Sequence, residues 1–169
     1  MKAKTERNEK KKNHSVRPDL AVYLSNPSCD GLDTYAYARQ TGTLSAGLKT
    51  TGVAFDYFDA SDAGDFEIDA EFITVNRPGT YLITCMITVP RTASVDTVFR
   101  LMTENRPLAG ASVRVCHTPG TDDASCMTQT VIRINERTTL TLTPDQNVDY
   151  AANDEESTLA SLTVLKLRD

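Results

Sequence analysis

The apolar positions of this chain recur in short bursts with a period of two, and helical spacing is hard to find. Apolar residues at i, i+3, i+4 and i+7 are not sustained over ten positions anywhere. Segments rich in Val, Ile, Thr, Phe and Tyr instead alternate with turn residues every ~8 to 12 positions, the spacing expected of an all-β sandwich or barrel. The pattern predicts about ten strands, near 34–39, 44–49, 52–58, 66–76, 79–89, 95–104, 109–117, 127–135, 137–143 and 157–167. The strongest turn signal is Asn76-Arg77-Pro78-Gly79. Proline presets φ there and glycine tolerates a positive φ, so the chain is turned into its longest apolar strand. Arg77 is expected to be a solvated turn residue.

Alternation also assigns faces. Along 81–89, Tyr81, Ile83, Cys85, Ile87 and Val89 point one way, and Leu82, Thr84, Met86 and Thr88 the other. Along 159–167, Leu159, Leu165 and Leu167 share one face, while Ala160, Leu162 and Val164 share the other. A strand apolar on both faces is covered on both. The sandwich covers one face. Leu82, Met86, Leu162 and Val164 are left as an apolar patch, and a second subunit is the simplest cover.

Composition sharpens this only in places. The 169 residues suffice for one domain with a real core. No window approaches the ~18 to 20 apolar residues of a membrane span, so membrane insertion is not expected. Residues 1–18 lack an apolar stretch of the kind a secretory signal needs, which implies synthesis in a cytoplasm, with assembly on a spore or particle surface still open. Charge is uneven. Seven bases in residues 1–17 (Lys2, Lys4, Arg7, Lys10, Lys11, Lys12, Arg17) face Glu6 and Glu9, a balance of +5. The total of −5 therefore leaves −10 for residues 18–169. The arm has no interleaved aromatics to stack on bases, and an acidic body repels phosphate, so nucleic acid is not expected as a partner. The division that follows is a disordered basic arm (1–18), a linker (19–33) and a folded domain (34–169).

Candidate chemistry is sparse. Of the four cysteines, Cys85 reads as a small buried apolar residue. Cys116 and Cys126 flank "HTPGTDDAS", and a hairpin there puts the two sulfurs at its base, where an oxidising setting allows a disulfide. With His117 they fall one ligand short of a zinc site. His117, beside Asp122 and Asp123, is the sole histidine outside the tail and the one candidate for a Ser-His-Asp hydrolase, but no G-x-S-x-G motif accompanies it. The acidic stretch "DYFDASDAGDFEIDAE" fails as an EF-hand, because Ala70 stands where a bidentate Glu is needed; Asp59, Asp62 and Asp65 remain as loose calcium candidates. No cofactor is expected.

Four segments taken together, "GDFEIDAEFITVNRPGTYLITCMITVP", "VFRLMTENRPLAGASVRV", "QTVIRINERTTLTLTP" and "STLASLTVLKLRD", resemble the C1q/TNF-like jelly-roll superfamily over residues 34–169. The G-x-Y strand at Gly79-Thr80-Tyr81, the hairpin at 105–111 and the alternating strand 159–167 carry the likeness. Among its members the bacterial BclA-type spore-surface domains look most similar, although this chain has eight glycines and no Gly-X-Y stalk. The resemblance implies a ten-stranded antiparallel jelly-roll sandwich closed by a threefold axis, and a non-catalytic structural or surface-interaction module, with a spore surface layer (exosporium) as its setting. The partners it implies are copies of itself, then other surface-layer proteins or glycans. A receptor- or glycan-binding head, as on a phage or spore tip, is the alternative, and a hydrolase using His117 a more remote one.

Overall fold

The structure, a computed structural model, describes residues 34–47, 52–61, 63–104 and 106–169. The basic arm, the linker, Cys29 and Asp62 lie outside the described residues. The rest is all-β, with twelve strands among the described residues: β1 (Tyr35–Thr41), β2 (Thr43–Ala46), β3 (Tyr57–Ala60), β4 (Phe66–Asp69), β5 (Phe72–Val75), β6 (Gly79–Val89), β7 (Val95–Thr103), β8 (Arg106–His117), β9 (Ala124–Ile134), β10 (Thr138–Pro144), β11 (Val148–Ala151) and β12 (Thr158–Arg168). They form two antiparallel five-stranded sheets, β3-β1-β12-β6-β9 and β4-β5-β10-β7-β8, with β11-β2 as a small extra ribbon. Each sheet interleaves early and late strands, so the core is stitched together by contacts distant in sequence.

The core lies between the two sheets. The inward set of β6, Tyr81, Ile83, Cys85, Ile87 and Val89, is fully buried, as its alternation requires. Phe66, Phe99, Leu101, Leu140 and Leu142 meet it from the other sheet. Phe66 and Tyr81 pack edge to face, with ring centroids 6.3 Å apart.

Four local readings change. The run 66–76 is a hairpin and not one strand. Asp69 faces Phe72 across a two-residue turn, and its carboxylate accepts the Ala70 N–H at 2.6 Å. Ala70 and Glu71 lack turn chemistry, so only Asp69 marks the reversal. In 52–58 just the end, from Tyr57, is strand. Val53 and Phe55 are buried singly, their N–H groups donating to the Leu142 and Ala70 carbonyls. The strand β11 was not foreseen, because "VDYA" is short and sits in an acidic, turn-rich stretch.

The fourth change concerns the opening turn. Gly79 is the first residue of β6 and is not among the glycines with positive φ. It is required for space: a Cβ there would lie 2.9 Å from the Arg168 carbonyl oxygen and 2.9 Å from Lys166 Cε. Arg77 is solvated as expected, its side chain 58% exposed, but it is also paired. Its Nε pairs with the buried Asp65 at 2.5 Å, and the Tyr81 hydroxyl donates to the Arg77 carbonyl at 2.8 Å. The turn thereby pins the β4–β5 hairpin to the start of β6.

Candidate assembly face

The outward face of the first sheet is ordered by strand register into rows that cross it. One row runs Tyr35–Leu165–Leu82–Val131 over β1, β12, β6 and β9. The next runs Asp59–Tyr37–Thr163–Thr84–Gln129, beginning on β3. A third runs Tyr57–Arg39–Ser161–Met86–Met127. The first row is apolar throughout and the third is apolar except at Arg39 and Ser161; the row between them is mostly polar, and in it Gln129 donates to the Thr84 hydroxyl at 3.1 Å. Five strands ~4.8 Å apart make the face about 19 Å wide. Its largest exposures are at the margins: Met127 is 62% exposed, Val131 58% and Tyr57 46%. Apolar side chains this open, aligned on one face, are not a core and have no cover within the described chain.

This placement divides the residues expected at the patch. Leu82 and Met86 are on the outward face as read. Leu162 and Val164 are not; both are 0% exposed. In an antiparallel pair, directly opposed residues share a face. Leu162 lies opposite Cys85 and Val164 opposite Ile83, so both point into the sandwich. The outward positions of β12 are Ser161, Thr163 and Leu165. The reading of 159–167 counted apolar residues on each face without the register to β6.

Residues that the sequence reading did not single out carry much of the face. Tyr35, Tyr37 and Arg39 alternate with the buried Ala36 and Ala38, a signal present in "TYAYAR". Met127 and Val131 alternate with half-buried neighbours along β9. An aromatic corner forms where β1 meets β3. Tyr37 and Tyr57 are edge to face at 6.3 Å, and the Arg39 guanidinium lies 4.8 Å from the centre of the Tyr57 ring. The Tyr35 hydroxyl donates to Asp59 at 2.9 Å, and that hydrogen bond, with the carboxylate charge, raises the Tyr35 pKa.

The remaining candidates are placed as follows. Cys116 and Cys126 are both free thiols in this structure. Cys116 is exposed on β8, beside Arg114 in the alternation, whereas Cys126 is half-buried and opposes the core residue Ile87. The two strands thus turn these thiols to different surroundings. Cys85 is a buried thiol, and burial pushes its pKa up to about 12. His117 meets two backbone carbonyls, Ala93 O at 2.8 Å from Nδ1 and Asp122 O at 3.4 Å from Nε2. The Asp122 carboxylate accepts from Thr121 and that of Asp123 from the Arg91 N–H and Asn153, so among the described residues no carboxylate orients the imidazole as a triad needs. Asp59 and Asp65 are engaged by Tyr35 and Arg77, and among the described residues no group of three or more His, Cys, Asp or Glu could hold a metal ion.

No protein-family model matches the sequence, and no curated protein does. Solved structures do match in shape. The globular domain of zebrafish complement 1qA superposes with a TM-score of 0.59 at 14% identity, covering 80% of this chain and 98% of that one. Murine APRIL, in its crystal structure at pH 8.5, gives 0.59 at 13% identity over 79% and 98%. The Eiger TNF of S. frugiperda gives 0.57 at 14% identity over 80% and 93%. Identities this low speak for architecture alone, and the architecture agrees with the two interleaved sheets: the chain folds as an antiparallel jelly-roll sandwich of the C1q/TNF-like kind.

Proposed function

We propose that this chain is a non-catalytic module that assembles as a homotrimer through the outward face of the β3-β1-β12-β6-β9 sheet and serves as a structural or surface-interaction element. The observation that carries the proposal is the pair of largely apolar rows across that face, ending in the exposed Met127 and Val131. Full burial of such a side chain is worth roughly 1.5 to 3 kcal/mol, and several act together against the cost of association. The fold likeness favours threefold closure, and a bacterial surface layer, the spore surface included, is the setting to which the sequence resemblance points. The absence of catalysis is supported by His117, whose ring faces carbonyls and not a carboxylate.

The test is solution mass for the wild type and for Val131→Asp. That substitution sits on an exposed position, so it leaves the fold and its circular dichroism intact. It is expected to yield monomer at micromolar concentration. A Val131→Asp protein of the same mass as an oligomeric wild type would show that this face is not the one used.

A further inference from the structure

Arg39 stands second in the third row of the assembly face, between Tyr57 and Ser161. Its guanidinium has no hydrogen bond or ion pair among the described residues. Nε is buried without a partner, and the group rests against the Tyr57 ring. Among the described residues, the acids of the neighbouring strand and its lead-in are committed elsewhere. Asp56 accepts from the Thr41 N–H and hydroxyl, and Asp59 accepts from Tyr35. The ring holds the guanidinium in place, and the entropy of ordering it is already spent in the single chain. Covering the rows beside it strips the last water from a charge that has no partner among the described residues. Such burial is costly unless an oppositely charged group arrives with the cover.

We infer that a carboxylate of a second copy of this chain pairs with Arg39, and that this pairing fixes the register in which copies meet. The inference rests on the assembly reading above. The second copy is the occupant that fits the charges. Arg39 is the one base and Asp59 the one acid within the three rows, while residues 18–169 together carry −10. The body of each copy is thus rich in carboxylates, and the face presents an unpaired cation suited to bidentate capture of one.

Sedimentation equilibrium on the whole chain, with wild type, Arg39→Met and Arg39→Lys, separates the outcomes. Methionine keeps length and apolar bulk. If a partner carboxylate is buried at Arg39, Arg39→Met strands it and weakens self-association roughly thirtyfold or more. Lysine keeps the charge and loses the planar fork, so weakening of about tenfold is expected, and the fold is retained even should methionine perturb it. An Arg39→Met protein that associates as well as wild type, or more tightly, overturns the pairing, as does an Arg39→Lys protein indistinguishable from wild type. A wild type that is monomeric at all accessible concentrations overturns the assembly reading itself.

Discussion

Leu162→Ala probes the register that decides which residues face the core. Leu162 is wholly buried in the row Ala38–Leu162–Cys85, whose other two members are small and well packed. Neither can swell into the space left by the deleted carbons, so the cavity persists. Leu→Ala changes of this kind cost about 2 to 5 kcal/mol, and the small neighbours argue for the middle of that range or above. For a domain of this size, 1 kcal/mol moves Tm by roughly 2 to 4 °C, so a loss near ~3.5 kcal/mol lowers it by roughly 7 to 14 °C. Calorimetry gives Tm. Guanidinium unfolding followed by far-UV circular dichroism gives the free energy, and suits a chain without tryptophan. Light scattering on the same sample is expected to return the wild-type mass, because the outward face is untouched. A variant with unchanged Tm and a reduced mass would refute the reasoning, for it would put Leu162 at a subunit contact and β12 in the other register.

Further outcomes follow from the same coordinates. Gly79→Ala forces a methyl to 2.9 Å from the Arg168 carbonyl and should destabilise the domain by about 1 to 3 kcal/mol in a denaturant titration; an unchanged midpoint would mean that the end of β12 is not held there. Cys85, its pKa pushed up to about 12 by burial, is expected to resist iodoacetamide at pH 8 until the protein is unfolded, while exposed Cys116 reacts in the native state, as peptide mass mapping would show. The Arg100 hydrogen bond holds the Asp145 carboxyl below its usual range. A carboxyl depressed in the folded state favours folding above its unfolded value near ~3.9, and that contribution is lost as pH falls through the lower folded value. Asp145→Asn should therefore flatten the stability–pH profile below about pH 4, and an unaltered acid limb would count against the pair.

How far the sequence was legible depends on the range of the interaction. The strict alternation of 79–89 located β6, its inward set and its outward Leu82 and Met86, because period two is a property of one strand. The faces of β12 were not readable in the same way. Leu159, Leu162, Val164, Leu165 and Leu167 occur on both sides, and only the pairing of Leu162 with Cys85 tells which side is the core. The aromatic corner was hidden for a similar reason. Tyr35, Tyr37 and Tyr57 are spread over two segments that meet through a long-range pairing, although Tyr-Ala-Tyr-Ala marks one of them. Asp69 was read as a strand residue because its turn lacks Gly, Pro and Asn. Arg77 is solvated as its turn implies, but its pairing was not legible, because Asp65 is twelve residues away and becomes buried only when the hairpin closes.

Assembly through one sheet face is tested most directly by the molar mass of the intact chain, from light scattering coupled to size exclusion at micromolar concentration. The predicted result is three times the 18.5 kDa of one chain, falling to 18.5 kDa in Val131→Asp with the circular dichroism unchanged. A wild-type mass of 18.5 kDa under those conditions would contradict it.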